Sequence, residues 1–119
     1  MIPTGSYEFI RELVQNQLQI PVYTQTTYAN NTVSLPCIIF ARNSTNTIMN
    51  MNSTAVYTDG ISFAIKAKTI EKVEEYRDFL IGLLDGYDYQ ISLQSETNDF
   101  DIDTAMYTRD VFFNVIYKL

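Results

Sequence analysis

A chain of 119 residues, 46% hydrophobic and 18% charged, has the size and composition of one folded domain spanning 1–119 and argues against disorder. Its net charge of −6, with eight scattered Lys and Arg, argues against nucleic acid as a primary bound ligand, because gripping phosphates needs clustered cations. With no His and only Cys37, it excludes Ser-His and Cys-His nucleophile pairs, imidazole zinc sites, thiolate clusters and an intrachain disulfide.

Residues 1–6 lack the basic region and apolar core of a signal peptide, and no apolar run approaches the ~20 residues needed to span a bilayer. No membrane partner is expected, and the chain is expected to fold in a cytoplasm. The first periodic segment is residues 6–19, where Ile10, Leu13, Val14 and Leu18, with Gln17 beside them, form one helical stripe. Pro21 ends that helix, because the residue before a proline is pushed out of the α region. Residues 24–34 are polar and read as a loop, with room for a short strand at Val22-Tyr23. Residues 35–41 are apolar on both faces, the pattern of a covered strand, and Cys37 within them reads as a small buried hydrophobe. The strand continues through the β-prone residues 42–47, and residues 48–54 form a connector.

From 55 to 68 the chain is extended again: Ile61, Phe63, Ile65 and Ala67 alternate with Ser62, Ala64, Lys66 and Lys68. Asp59-Gly60 marks either a turn or a bulge within it. Residues 70–85 form the clearest helix, with Thr69 as N-cap, Val73, Tyr76, Leu80, Leu83 and Leu84 as its apolar face, and Gly86 as its left-handed C-terminal stop. Residues 89–94 alternate as a strand, 95–103 form an acidic connector, and 107–117 form the last strand. The expected fold is therefore α+β: an antiparallel sheet of about four main strands, in the order α-ββ-α-ββ, with two helices packed on one face.

Two acidic motifs bear on chemistry. Asp103-Thr104-Ala105 matches the short signature of aspartic proteases, but no Gly-containing apolar segment follows to brace a paired-aspartate loop. Asp99, Asp101 and Asp103 alternate like the start of a calcium loop, with Asp110 at the twelfth position. Yet Thr104 stands where that loop needs Gly, and Phe100 and Ile102 fill polar positions. The alternation fits an extended segment with one wet and one dry face, so no metal, cofactor or catalytic residue is assigned. Ile48, Met49 and Met51 are apolar residues in a connector, the pattern of a contact surface. Ile48, Met49, Met51, Asp99, Asp101 and Asp103 are the candidate contact-surface residues.

The succession LPCIIFARNSTNT (35–47), GISFAIKAKTIEKVEEYRDFLIGLLDGY (60–87) and two closing strands is similar to the tail-terminator, or tail-completion, family of long-tailed bacteriophages. The matching positions are Leu35, Pro36, Ile38, Phe40, Phe63, Ile65, Ala67, Thr69, Val73, Arg77, Leu80 and Leu84. The resemblance implies a structural, non-enzymatic subunit that forms a homo-oligomeric ring, usually a hexamer, at the head-proximal end of the tail of a virion. Such a ring stops polymerisation of the tail-tube protein and offers a surface to the head-connector (neck) protein, and DNA passes through its hole without specific binding. An acidic chain suits such a conduit. The competing expectations are another head-to-tail joining subunit and a small acidic, DNA-mimicking binding module.

Overall fold

The computed structural model describes residues 7–24, 35–49 and 55–118. Its elements are α1 (Tyr7–Leu18), β1 (Val22–Thr24), β2 (Cys37–Met49), β3 (Ala55–Ala67), α2 (Ile70–Leu84), a short 3-10 turn (Tyr87–Tyr89), β4 (Ile91–Asp101) and β5 (Met106–Lys118). The five strands form one sheet in the order β1-β2-β3-β5-β4. The fold is α+β, with both helices on the sheet, and β2-β3 and β4-β5 form the expected antiparallel pairs. The pairs join through β3 and β5, also antiparallel, while β1 adds a short parallel strand to β2, so the sheet is mixed.

Side-chain alternation turns one row of each strand toward the helices. Phe40, Phe63 and Val111 stand in register across β2, β3 and β5, and Ile61 stands beside Phe113. These residues pack with Ile10 and Val14 of α1 and Leu80 and Leu84 of α2 in one core. Phe63 lies at its centre, with its ring centroid 5.2 Å from that of Phe40 and 6.0 Å from that of Phe113.

The helix ends follow their capping chemistry. Thr69 is extended, and its hydroxyl accepts a hydrogen bond from Lys72 N at 3.3 Å. Beyond α2, Gly86 takes φ 82°, a left-handed conformation that glycine adopts without a Cβ clash. At the end of α1, Gln19 turns left-handed at φ 60° ahead of Pro21. Arg11 Nη1 donates to Val22 O at 3.0 Å, and Gln15 Oε1 accepts from Val22 N at 3.1 Å, tying α1 to β1.

The structure corrects four expectations. Residues 95–101 are not a connector: β4 runs on to Asp101, paired with β5 throughout. A register shift between Leu93 and Ser95 explains why alternation alone did not show it. The extra residue moves the helix-facing row from Ile91 and Leu93 to Glu96, Asn98 and Phe100. Ile48 and Met49 belong to β2, paired with Val56 and Ala55 by the backbone ladder, not to a connector. Tyr89 lies in the turn before β4, left-handed at φ 56° and fully exposed, rather than in the strand. Asp59-Gly60 is neither turn nor bulge but continuous strand; the bulge is on the partner, between Arg42 and Ser44. Asp59 is fully buried in β3. The polar stretch 25–34 and residues 50–54, including Met51, lie outside the described residues.

Candidate assembly surfaces

The pairing of β3 with β5 sends the two hairpins to opposite ends. Val56 pairs with Lys118 and Ala67 with Tyr107, so the paired ends of β2 and β3 at Met49 and Ala55 lie beside the end of β5, and the β4-β5 turn lies where β3 exits. The molecule measures 52 × 27 × 24 Å. Among its elements only the 13-residue strands, about 43 Å long, are long enough to set that axis. A molecule of this shape presents different surfaces at its two ends.

At the β4-β5 end the three aspartates take separate roles. Asp99 Oδ1 accepts from Phe100 N at 2.9 Å. Asp101 Oδ1 accepts from Asp103 N at 3.0 Å and Thr104 N at 3.4 Å, closing the turn as an Asx motif. Asp103 is exposed within that turn. Asp110 is drawn away to Thr97, whose hydroxyl donates to it at 3.4 Å, and among the described residues no acidic group gathers to hold a cation. The same end carries apolar surface. The Phe100 ring packs against Tyr107, tilted by 46° with centroids 4.5 Å apart, and Ile102 is 82% exposed at the tip.

Behind the tip, a charged seam fastens β4 and β5 to α2. Arg77 clamps Glu96 with two hydrogen bonds, 2.6 and 2.7 Å, in bidentate geometry. Arg109, buried on the helix-facing row, donates to Asn98 and Glu74 and lies 3.5 Å from Glu96. Hydrogen bonding from Arg77, with the charges of Arg77 and Arg109, holds the Glu96 carboxyl below the usual carboxylate range. The Arg77 guanidinium is in turn held more firmly protonated by Glu96 and then by Asp78. Arg77 and Arg109 together thus fasten the acidic strand to α2.

A third surface is an open groove of about 560 Å³ between the outer flanks of α1 and α2. Leu18 and Leu83 line it, Phe79 stands in it 61% exposed, and Gln17, Glu75 and Asp78 edge it. Gly82 leaves bare backbone in its wall, in the middle of a helix and with nothing within 4 Å of the place a Cβ would take. Sequence periodicity located the buried stripe of α2 and passed over this outer face. The signal was present as an apolar residue and a glycine, Phe79 and Gly82, where polar helix formers are the rule. Gly82→Ala is expected to stabilise the protein by about 0.5–1 kcal/mol, because alanine relieves the helix-interior cost of glycine and meets no neighbour. A thermal melt that falls instead would show that the glycine is needed for the fold.

No family model and no curated relative matches the sequence. The fold is similar to that of a solved chain described as part of the virion of a native gene transfer agent particle. The two share 13% identity with a TM-score of 0.64, and the match covers 95% of this chain and 91% of that one.

Proposed function

We propose that this chain is a structural subunit of a phage-like virion that closes into a homo-oligomeric ring, a hexamer, at the head-proximal end of the tail. There it would stop tail-tube polymerisation and receive the head connector. The observation that carries the reading is the near full-length likeness to a chain of a virion particle. It is supported by the opposed hairpins, which give the molecule two unlike ends, and by a residue inventory without a Ser-His or Cys-His pair. The acidic hairpin end, carrying Asp99, Asp101 and Asp103, serves as the lumen lining or docking face. The strand ends of β2, Ile48 and Met49, contribute the contact at the other end.

Multi-angle light scattering with negative-stain imaging tests the ring. The expected result is discrete rings at high protein concentration or on addition of the tail-tube protein; a strict monomer under both conditions would overturn the reading. Charge reversal at Asp99 and Asp103 separates surface from scaffold, with Asp101 left intact because its carboxylate closes the turn. Asp99→Lys/Asp103→Lys should melt within a few degrees of the parent, since exposed substitutions change stability by about 0.5 kcal/mol or less. Ring formation or DNA passage should fall at least ten-fold. Unchanged assembly would show that this face does not touch a partner.

A further inference from the structure

We propose that the outer edge of β4 is held shut against strand addition by two side chains, Asp85 and Asp99, which occupy its outward backbone amides at Leu93 and Phe100. The closure acts in a lone subunit and in a ring alike.

The sheet order leaves β4 at one edge, where among the described residues β5 is its only strand neighbour. Ladder geometry shows which of its backbone groups face out. Ile116 N donates to Gln90 O at 2.8 Å, so alternation turns the backbone groups of Ile91 and Leu93 away from β5. Past the register shift, Ser95, Thr97 and Asp99 stand opposite Phe112, Asp110 and Thr108, which continue the β5 row of Ile116. Glu96, Asn98 and Phe100 therefore turn their amides outward. Such a row is a template for another strand. The identical edge of a second copy is the strand at hand, because the opposite edge of the sheet, β1, has only three residues.

Both ends of that row are already taken. At the start, α2 ends across it: Gly86 N donates to Ile91 O at 2.7 Å, and Asp85 Oδ1 accepts from Leu93 N at 3.0 Å. The register shift between Leu93 and Ser95 then breaks the alternation that a partner ladder needs. Farther along, Asp99 Oδ1 accepts from Phe100 N at 2.9 Å. Between the two carboxylates, Glu96 and Asn98 have outward amides with no such cap among the described residues. An incoming strand lies about 4.8 Å from its neighbour, in the lane that the capping carboxylates occupy. It would have to displace both and bury them without their amides, at a cost that two open residues do not offset.

Backbone hydrogen exchange, resolved by residue with NMR, reads the closure directly. In the parent, the Leu93 and Phe100 amides should exchange at least about ten-fold more slowly than those of Glu96 and Asn98. Equal rates in all four overturn the proposal, because the caps are then not held. Glu96 and Asn98 amides as protected as the β5-bonded Thr97 amide also overturn it, because another segment then covers the edge.

Two double variants test the consequence. Asp85→Ala/Asp99→Ala removes both acceptors, whereas Asp85→Asn/Asp99→Asn removes the same charges and keeps a carbonyl oxygen at each amide. Any effect of the Asp99 charge on ring formation is shared by the two, so their difference reports the edge alone. Sedimentation at matched concentrations should give the alanine variant about twice the mass of the asparagine variant, because two identical edges pair about a two-fold axis. Its Glu96 and Asn98 amides should become protected in the heavier species, with Thr97 still protected. Equal masses up to about 1 mM overturn the proposal. So does a heavier alanine variant whose Glu96 and Asn98 amides exchange as in the parent, since the copies then meet elsewhere. Loss of Thr97 protection in the alanine variant also overturns it, because the two carboxylates then hold the sheet rather than its edge.

Discussion

Phe63→Ala is expected to cost about 4 kcal/mol, enough to consume much of the roughly 5–15 kcal/mol that separates a domain of this size from its unfolded state. Phe63 is fully buried on the central strand β3. It stands opposite Phe40 on one side and Val111 on the other, under the core that Leu80 and Leu84 complete. Truncation removes the transfer energy of the ring and leaves a cavity that two flanking aromatics, fixed on their own strands, cannot close. The Phe63–Phe113 pair is near perpendicular at 81°, a favourable edge-to-face geometry that is also lost. At about 4 °C per kcal/mol the melting midpoint should drop by about 15 °C. Urea titration gives the free energy directly, and a loss below about 1.5 kcal/mol would mean that the core collapses around the gap far better than its strand-anchored geometry allows. The ring proposed above should fail to form in parallel, since every surface discussed is carried by this sheet or by helices laid upon it.

The parts of the fold that were legible in the sequence were those in which local pattern and tertiary environment agree. Val73, Leu80 and Leu84 recur at helical spacing and are the buried residues of α2; Thr69 caps it and Gly86 stops it. Ile61, Phe63, Ile65 and Ala67 alternate and are the buried row of β3. What was not legible depended on partners distant in the chain. Glu96 and Asn98 are polar yet lie on the helix-facing row, because a register shift re-aims them and because Arg77 and Arg109 wait there. Without knowledge of those partners, a run of carboxylates reads as a solvated connector. Asp59, polar and fully buried in β3, misled in the same way by breaking an apolar alternation beside a glycine. Of the candidate site, Asp99, Asp101 and Asp103 do cluster toward one end, but Asp101 is occupied in holding the turn. The α1-α2 groove was invisible because its two walls are about 60 residues apart in sequence, as Leu18 and Phe79 are.

Arg109→Ala should be the most damaging polar substitution, with a loss of about 3 kcal/mol and a melting midpoint about 10 °C lower. Its side chain is only 10% exposed, whereas its partners Glu74 and Glu96 are 47% and 24% exposed. The penalty is therefore placed at the low end for a broken buried pair: the carboxylates left behind regain water in part, and Glu96 keeps Arg77. Glu96→Gln should cost less at neutral pH, and its effect carries a pH dependence of definite sign. The Glu96 carboxyl is held below its ordinary value by Arg77, so its contribution is fully present above the unfolded glutamate value of about 4.3. That contribution is lost as pH falls through the lower, folded value. The parent should therefore lose stability below about pH 4 more steeply than Glu96→Gln, and the two curves should converge once Glu96 is protonated in the folded state as well. Parallel curves would mean that the seam is screened and contributes little. Convergence would show that protonating Glu96 removes its contribution to the stability of the fold.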